Sequence, residues 1–162
     1  MRKFNRNRTR LLVICQDETL SNELVTLLTG YGYYVDYVPN RKEGILKFAQ
    51  HKQAIVIIDA ASLPRFPQHL FHMFRYYTLN PKIMIAATRE EEENIYPYLD
   101  KGVYDIIQVP LRFEYLDFNL RRLVQYERVS ARFSFLKLLV QLLLFAAPIW
   151  VLFLMALGSR FL

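Results

Sequence analysis

Short, uninterrupted apolar runs alternate along this chain with stretches whose apolar residues recur every three or four positions. "LLVIC" (11–15), "YYVDYV" (33–38), "AIVII" (54–58), "KIMIAA" (82–87) and "YDIIQV" (104–109) read as five strands. Between them, "LSNELVTLLTGYG" places leucines at 20, 24, 27 and 28 and closes at Gly30 or Gly32. "RKEGILKFAQH", "FPQHLFHMFRYYTL" and "EEEENIYPYLDKG" read as three further helices, the last ending at Gly102, and another starts near Arg112. Strands that are apolar throughout, rather than on alternate positions, are buried on both faces, and that is the signature of a parallel sheet covered by helices. Five strands in this rhythm predict an α/β fold of the flavodoxin-like doubly wound kind. Its functional edge lies at the carboxyl ends of the strands.

The pattern changes at residue 138. "LLVQLLLFAAPIWVLFLMAL" (138–157) holds no charge, and Gln141 is its only strongly polar side chain. At 1.5 Å per residue such a helix would span roughly 30 Å, the thickness of a bilayer's hydrocarbon core. It is hydrophobic all round, which a soluble amphipathic helix is not. Arg121, Arg122, Arg128, Arg132 and Lys137 precede it and only Arg160 follows. The positive-inside rule then predicts a single-pass protein with its N-terminal domain in the cytoplasm. The expected division is a basic arm (1–9), an α/β domain (10–126), a basic juxtamembrane helix (127–137), the transmembrane helix (138–157) and a short tail (158–162). No proline or glycine interrupts residues 112–147, which suggests a stiff junction.

Charge sharpens this division. The formal net charge of +6 comes from the ends. Residues 1–10 carry Arg2, Lys3, Arg6, Arg8 and Arg10 and no acid, whereas residues 11–120 hold ten Lys/Arg against fourteen Asp/Glu. A nucleic-acid-binding domain would carry its basic residues on a folded face, so nucleic acid is not an expected partner. The single cysteine, Cys15, excludes a disulfide framework. The apolar run after the basic N-terminus is too short for a signal peptide. His69 and His72 have no cysteine near them for a zinc site, and no P-loop, dinucleotide fingerprint or hydrolase elbow is present. Acids in "REEEEN" (89–94) suit a solvated helix start, while the aromatic-rich "PRFPQHLFHMFRYY" (64–77) exceeds what one core helix needs and suits protein contact.

From Arg10 to Val124 the chain resembles the receiver domain of bacterial two-component response regulators. "RLLVICQDETLSNELVTLLTGYGYYV" lies without gaps on the receiver opening, with Gly32 before the second strand. "IVIIDAASLP" matches the third strand and its phosphoacceptor, and "LDKGVYDIIQVP" the segment around the fifth, with Gly102 and Pro110 in place. The resemblance puts Asp59 at the phosphoacceptor position. It puts the family's metal-binding acid pair on Cys15 and Gln16, its Thr/Ser on Ala86 (Thr88 lies two residues on), its lysine on Val109 and its aromatic switch on Ile106. The loop after Asp59 is one residue longer than usual before Pro64.

With those groups replaced, the expectation is a non-enzymatic pseudo-receiver without cofactor, in which Asp59 caps a loop rather than accepting phosphate. Cys15 is expected to be a buried small residue. Anchored at a bacterial inner membrane through residues 138–157, the domain would bind a protein partner or serve as an accessory subunit of a membrane complex. The candidate partner face comprises Tyr96, Tyr98, Tyr104 and Tyr115. The competing expectation is a phosphorylation-competent receiver of a two-component signalling system, switched through Asp59, with Asp17 and Asp59 holding Mg²⁺.

Overall fold

The structure, a computed structural model, describes residues 9–77, 81–112, 114–123 and 140–141. The chain divides into two compact units, Met1–Leu120 and Arg121–Leu162. The proposed membrane segment 138–157 lies outside the described residues except for 140 and 141, which are helical. Among the described residues no helix is long and apolar enough to cross a membrane.

The first unit carries β1 (Arg10–Ile14), α1 (Glu18–Gly30), β2 (Tyr34–Val38), α2 (Arg41–His51), β3 (Ile55–Asp59), α3 (Pro67–Tyr77), β4 (Lys82–Thr88), α4 (Arg89–Ile95) and β5 (Val103–Val109). A final helix, α5, begins at residue 114, and residues 114–120 of it belong to this unit. The strands form one parallel sheet in the order β2-β1-β3-β4-β5, the doubly wound arrangement that the rhythm of apolar runs predicts.

The three central strands are apolar on both faces because both faces are covered. Leu12, Ile14, Val56, Ile58, Ile83, Ile85 and Ala87 pack into one core with Phe48 of α2, Leu70, Phe71 and Phe74 of α3 and Ile95 of α4. Phe48 and Phe74 meet edge to face at 4.8 Å between ring centres. The alternate residues Leu11, Val13, Ile55, Ile57 and Met84 point to the other face and are equally buried. That face is covered by α1, whose Leu20, Leu24 and Leu28 are buried and which packs on β1 and β2.

The helix starts follow from local chemistry. Asp17 caps α1 by accepting from the Thr19 and Leu20 amides at 2.8 and 3.1 Å. Asn40 caps α2 through the Glu43 amide at 3.0 Å. After α1 the chain turns into β2 through Gly32, whose φ of 84° falls in the left-handed region that favours glycine. One expected element is corrected. The helix read over 90–102 is not a single α-helix: α4 ends at Ile95 and the chain continues as a tighter 3-10 turn over Tyr96–Lys101. Pro97 has no N–H to donate and breaks the α-helical ladder there.

Candidate functional site

Parallel pairing brings the strand ends to one edge, and the register settles who meets whom. Ile14 pairs with Ile58, so the next residues, Cys15 and Asp59, stand side by side on neighbouring strands. Asp59 is in register with Ala86 of β4, and Thr88 with Val109 of β5. All are positions that the resemblance singles out, and the fold gathers them at the carboxyl end of the sheet.

Asp59 is buried, with 7% of its surface exposed. Its Oδ1 accepts from the Ala61 amide at 3.3 Å and caps a 3-10 turn over Ala60–Ser62. The Leu63 amide closes that turn on the Ala60 carbonyl. Burial pushes the Asp59 carboxyl above its ordinary range, and the nearby charges of Glu91 and Asp17 push it further; the Ala61 amide and the Cys15 thiol act in the opposite direction. Cys15 is fully buried and donates its thiol hydrogen to the Asp17 carbonyl at 3.3 Å. Burial, followed by the Asp59 charge, pushes its pKa up to about 11. At neutral pH the partner of Asp59 is therefore a neutral thiol and not a nucleophile.

The remaining candidates are engaged elsewhere or chemically silent. Gln16 is exposed. Asp17 holds the start of α1. The Thr88 hydroxyl and amide both donate to Glu91 Oε2 at 2.9 Å, which fixes the start of α4. Ala86 is fully buried, Val109 precedes a cis bond to Pro110, and Ile106 packs against the α2–α4 core. Among the described residues no group of three His, Cys, Asp or Glu side chains is placed to hold a metal ion. His69 and His72 are exposed on α3.

The four tyrosines of the expected partner face separate into two sets. Tyr96 and Tyr115, each 54% exposed, stand together on a cleft of about 370 Å³. Its walls are Glu92, Tyr96 and Leu99 on one side and Arg112, Tyr115, Leu116 and Asn119 on the other, and its floor is Asp105–Gln108 of β5. Tyr98 turns the other way and packs on Phe71 at 6.2 Å. Tyr104 lies under the Lys82 ammonium at 5.3 Å. On α3, Phe71 and Phe74 are core residues while Phe66, Met73 and Tyr76 are exposed.

Sequence reasoning missed Asn119. It is only 3% exposed, lines the cleft, and its Nδ2 has no hydrogen-bond partner. The signal was available: Leu116, Asn119, Leu120 and Leu123 follow the spacing of one buried stripe, and a polar residue on such a stripe calls for a partner.

No protein-family model matches the chain. It is similar to the sensory transduction protein BceR of Bacillus subtilis (strain 168), 31% identical over 109 residues that make up 66% of this chain and 46% of that protein. The BceR of Halalkalibacterium halodurans is likewise 31% identical over 108 residues, 66% of this chain and 46% of that protein. The aligned region thus spans less than half the length of these relatives. A response regulator receiver domain protein from Clostridium thermocellum superposes with a TM-score of 0.68 at 16% identity, covering 75% of this chain and 98% of that one. The first unit has the fold of a receiver domain.

Proposed function

We propose that the chain is a receiver-like protein that has lost phosphoryl-transfer chemistry and acts by binding. Its site is a pseudo-receiver site, and its partner is a protein or a membrane complex at the cytoplasmic face of a bacterial inner membrane. The observation that carries the reading is the protonated Cys15 thiol beside Asp59, where the receiver resemblance calls for a carboxylate. Phosphoryl transfer to an aspartate needs Mg²⁺ to offset the incoming negative charge, and Mg²⁺ takes hard oxygen ligands in octahedral array. The groups around Asp59 do not suit that ion: a thiol at 15, an exposed amide at 16, and an Asp17 carboxylate holding a helix start. With Val109 aliphatic, the cation expected at the end of β5 is missing as well. Each such electrostatic partner contributes about 3 kcal/mol to a transition state, so their joint loss removes efficient phosphorylation.

The anchor in this reading is the uncharged segment 138–157, with the basic residues before it set against the anionic leaflet. The binding face is the cleft between α4 and α5 that Tyr96 and Tyr115 flank. The domain is non-enzymatic, needs no cofactor and has no nucleic-acid partner.

A second reading is supported by the likeness to BceR, a protein named for sensory transduction, and by the acidic charges of Asp17 and Glu91 that reach Asp59. In it Asp59 is phosphorylated, with Asp17 and Asp59 as metal ligands. Incubating the full chain in detergent with Mg²⁺ and acetyl phosphate or beryllofluoride separates the two by intact mass. The pseudo-receiver reading expects no adduct; a stoichiometric adduct on Asp59 overturns it.

A further inference from the structure

The floor of the α4–α5 cleft is the free edge of the sheet. Among the described residues β5 is a terminal strand with β4 as its one neighbour in the sheet. Successive side chains of a strand point to opposite faces, so four consecutive residues, Asp105 to Gln108, share one cleft along the strand's edge. The Ile106 amide bears this out. It donates to Oδ1 of the preceding Asp105 at 2.9 Å and so faces away from β4, and alternation turns the Gln108 amide to the same side.

We propose that this edge takes an extended, lysine- or arginine-bearing segment of a partner protein as a sixth strand alongside β5. The inference rests on the protein-binding reading above and specifies how the partner is held. An edge strand offers backbone donors and acceptors that an added strand can satisfy, whereas a helix has already paired most of its own. The Asn119 amide supplies a second, independent demand: a buried N–H donor at the cleft wall with no acceptor, which a carbonyl of the incoming strand satisfies once the side chain turns into the cleft. Glu92 lies on the opposite wall, so the entering side chain that faces α4 is basic, whereas Arg112 stands on the α5 side. Tyr96 and Tyr115 flank the opening and cover the apolar alternates. The Asp105 carboxylate on the Ile106 amide is then a removable cover, of the kind that protects exposed strand edges from indiscriminate pairing.

Two peptides of identical composition (Lys, Val, Thr), one ordered to alternate Lys and Val and the other ordered as an amphipathic helix, test this on the full chain in detergent. Binding is read by fluorescence anisotropy and by amide hydrogen exchange over 103–109. The alternating peptide should bind, slow exchange in β5, weaken with salt, and lose its effect when its central amide is N-methylated. Asn119→Leu should cost about threefold to tenfold in affinity without lowering the unfolding temperature of the free chain, since it removes an unsatisfied donor. The proposal is overturned if the alternating peptide leaves β5 exchange unchanged, or if Asn119→Leu and wild type bind it equally. Protection by the helical peptide alone overturns the strand but keeps a protein-binding face. Slow β5 exchange that appears without peptide and is lost when residues 1–9 are deleted makes the basic arm the occupant and overturns the partner. An Asp59 adduct in the beryllofluoride experiment strikes the parent reading, whatever the peptides do.

Discussion

Replacing Cys15 by aspartate restores one carboxylate of the acid pair. Cys15 and Asp59 follow a paired Ile14 and Ile58 on adjacent strands, and both are buried. At a strand separation of about 4.8 Å and an effective dielectric constant of about 20, two like charges repel by about 3.5 kcal/mol. Cys15→Asp should therefore lose about 3 kcal/mol of stability in metal-free buffer, less if one carboxyl stays protonated. A divalent cation bridging the pair offsets this. At a concentration a hundredfold above its dissociation constant it contributes about 2.7 kcal/mol. Thermal unfolding of the full chain in detergent, with EDTA or with Mg²⁺, reads both effects. The expected result is a variant that is destabilised in EDTA and recovers in Mg²⁺, beside a wild type indifferent to the metal. Two results refute the reasoning. A variant as stable as wild type in EDTA shows that positions 15 and 59 do not interact. A wild type that gains from Mg²⁺ as the variant does shows that the metal site was never lost.

Asp59→Asn should stabilise the chain at neutral pH. The folded pKa of Asp59 lies above its unfolded value, so its ionised form opposes folding, fully above the folded pKa and not at all below the unfolded one. The gain in unfolding temperature is thus largest at pH 7 and fades as pH falls through the native pKa; a gain that grows toward acid pH would contradict the assignment. Asn keeps an acceptor for the Ala61 amide. Iodoacetamide at pH 8 should leave Cys15 unmodified in the folded chain and alkylate it in urea, because its thiol ionises only near pH 11; rapid labelling of the folded chain would show an accessible thiolate. Gly44→Ala should destabilise despite a better helix former, since the new Cβ lies 2.9 Å from Ile14 Cγ1. A propensity gain of about 1 kcal/mol is set against overpacking of about 2 kcal/mol, a net loss of about 1; increased resistance to urea would refute it.

The strands were legible because burial on both faces leaves continuous apolar runs, as in Leu11–Ile14 and Ile55–Ile58. The meeting of Cys15 with Asp59 was implied by the receiver resemblance, and the register shows it: both follow the paired Ile14 and Ile58. The placement of the four tyrosines was legible only by half. Tyr96 and Tyr98 were read as neighbours on one helix, but the 3-10 turn after Ile95 sends one to the cleft and the other onto Phe71. Tyr104 sits where the β4–β5 register shifts, so its direction could not be counted along the strand. The vacancy at Asn119 was beyond reach for a different reason. A polar residue on a buried stripe announces a demand, but whether anything meets it depends on which side chains from β5 and α4 come within hydrogen-bonding distance.

The survival of Asp59 is weak support for phosphorylation, because the fold has its own use for a carboxylate there. Oδ1 begins the turn that carries the chain from β3 toward α3, and that role needs no metal and no neighbouring cation. What distinguishes the two roles is the residue at 15. A second carboxylate beside a buried Asp59 would be tolerated only with a cation between them. A thiol of nearly the same size stays protonated to about pH 11 and gives its one hydrogen to the Asp17 carbonyl, so it sets no second charge against Asp59. One substitution thus converts a repulsive pair that requires Mg²⁺ into a neutral contact that does not. In the proposed reading, a site stable without its ion has no need to bind it.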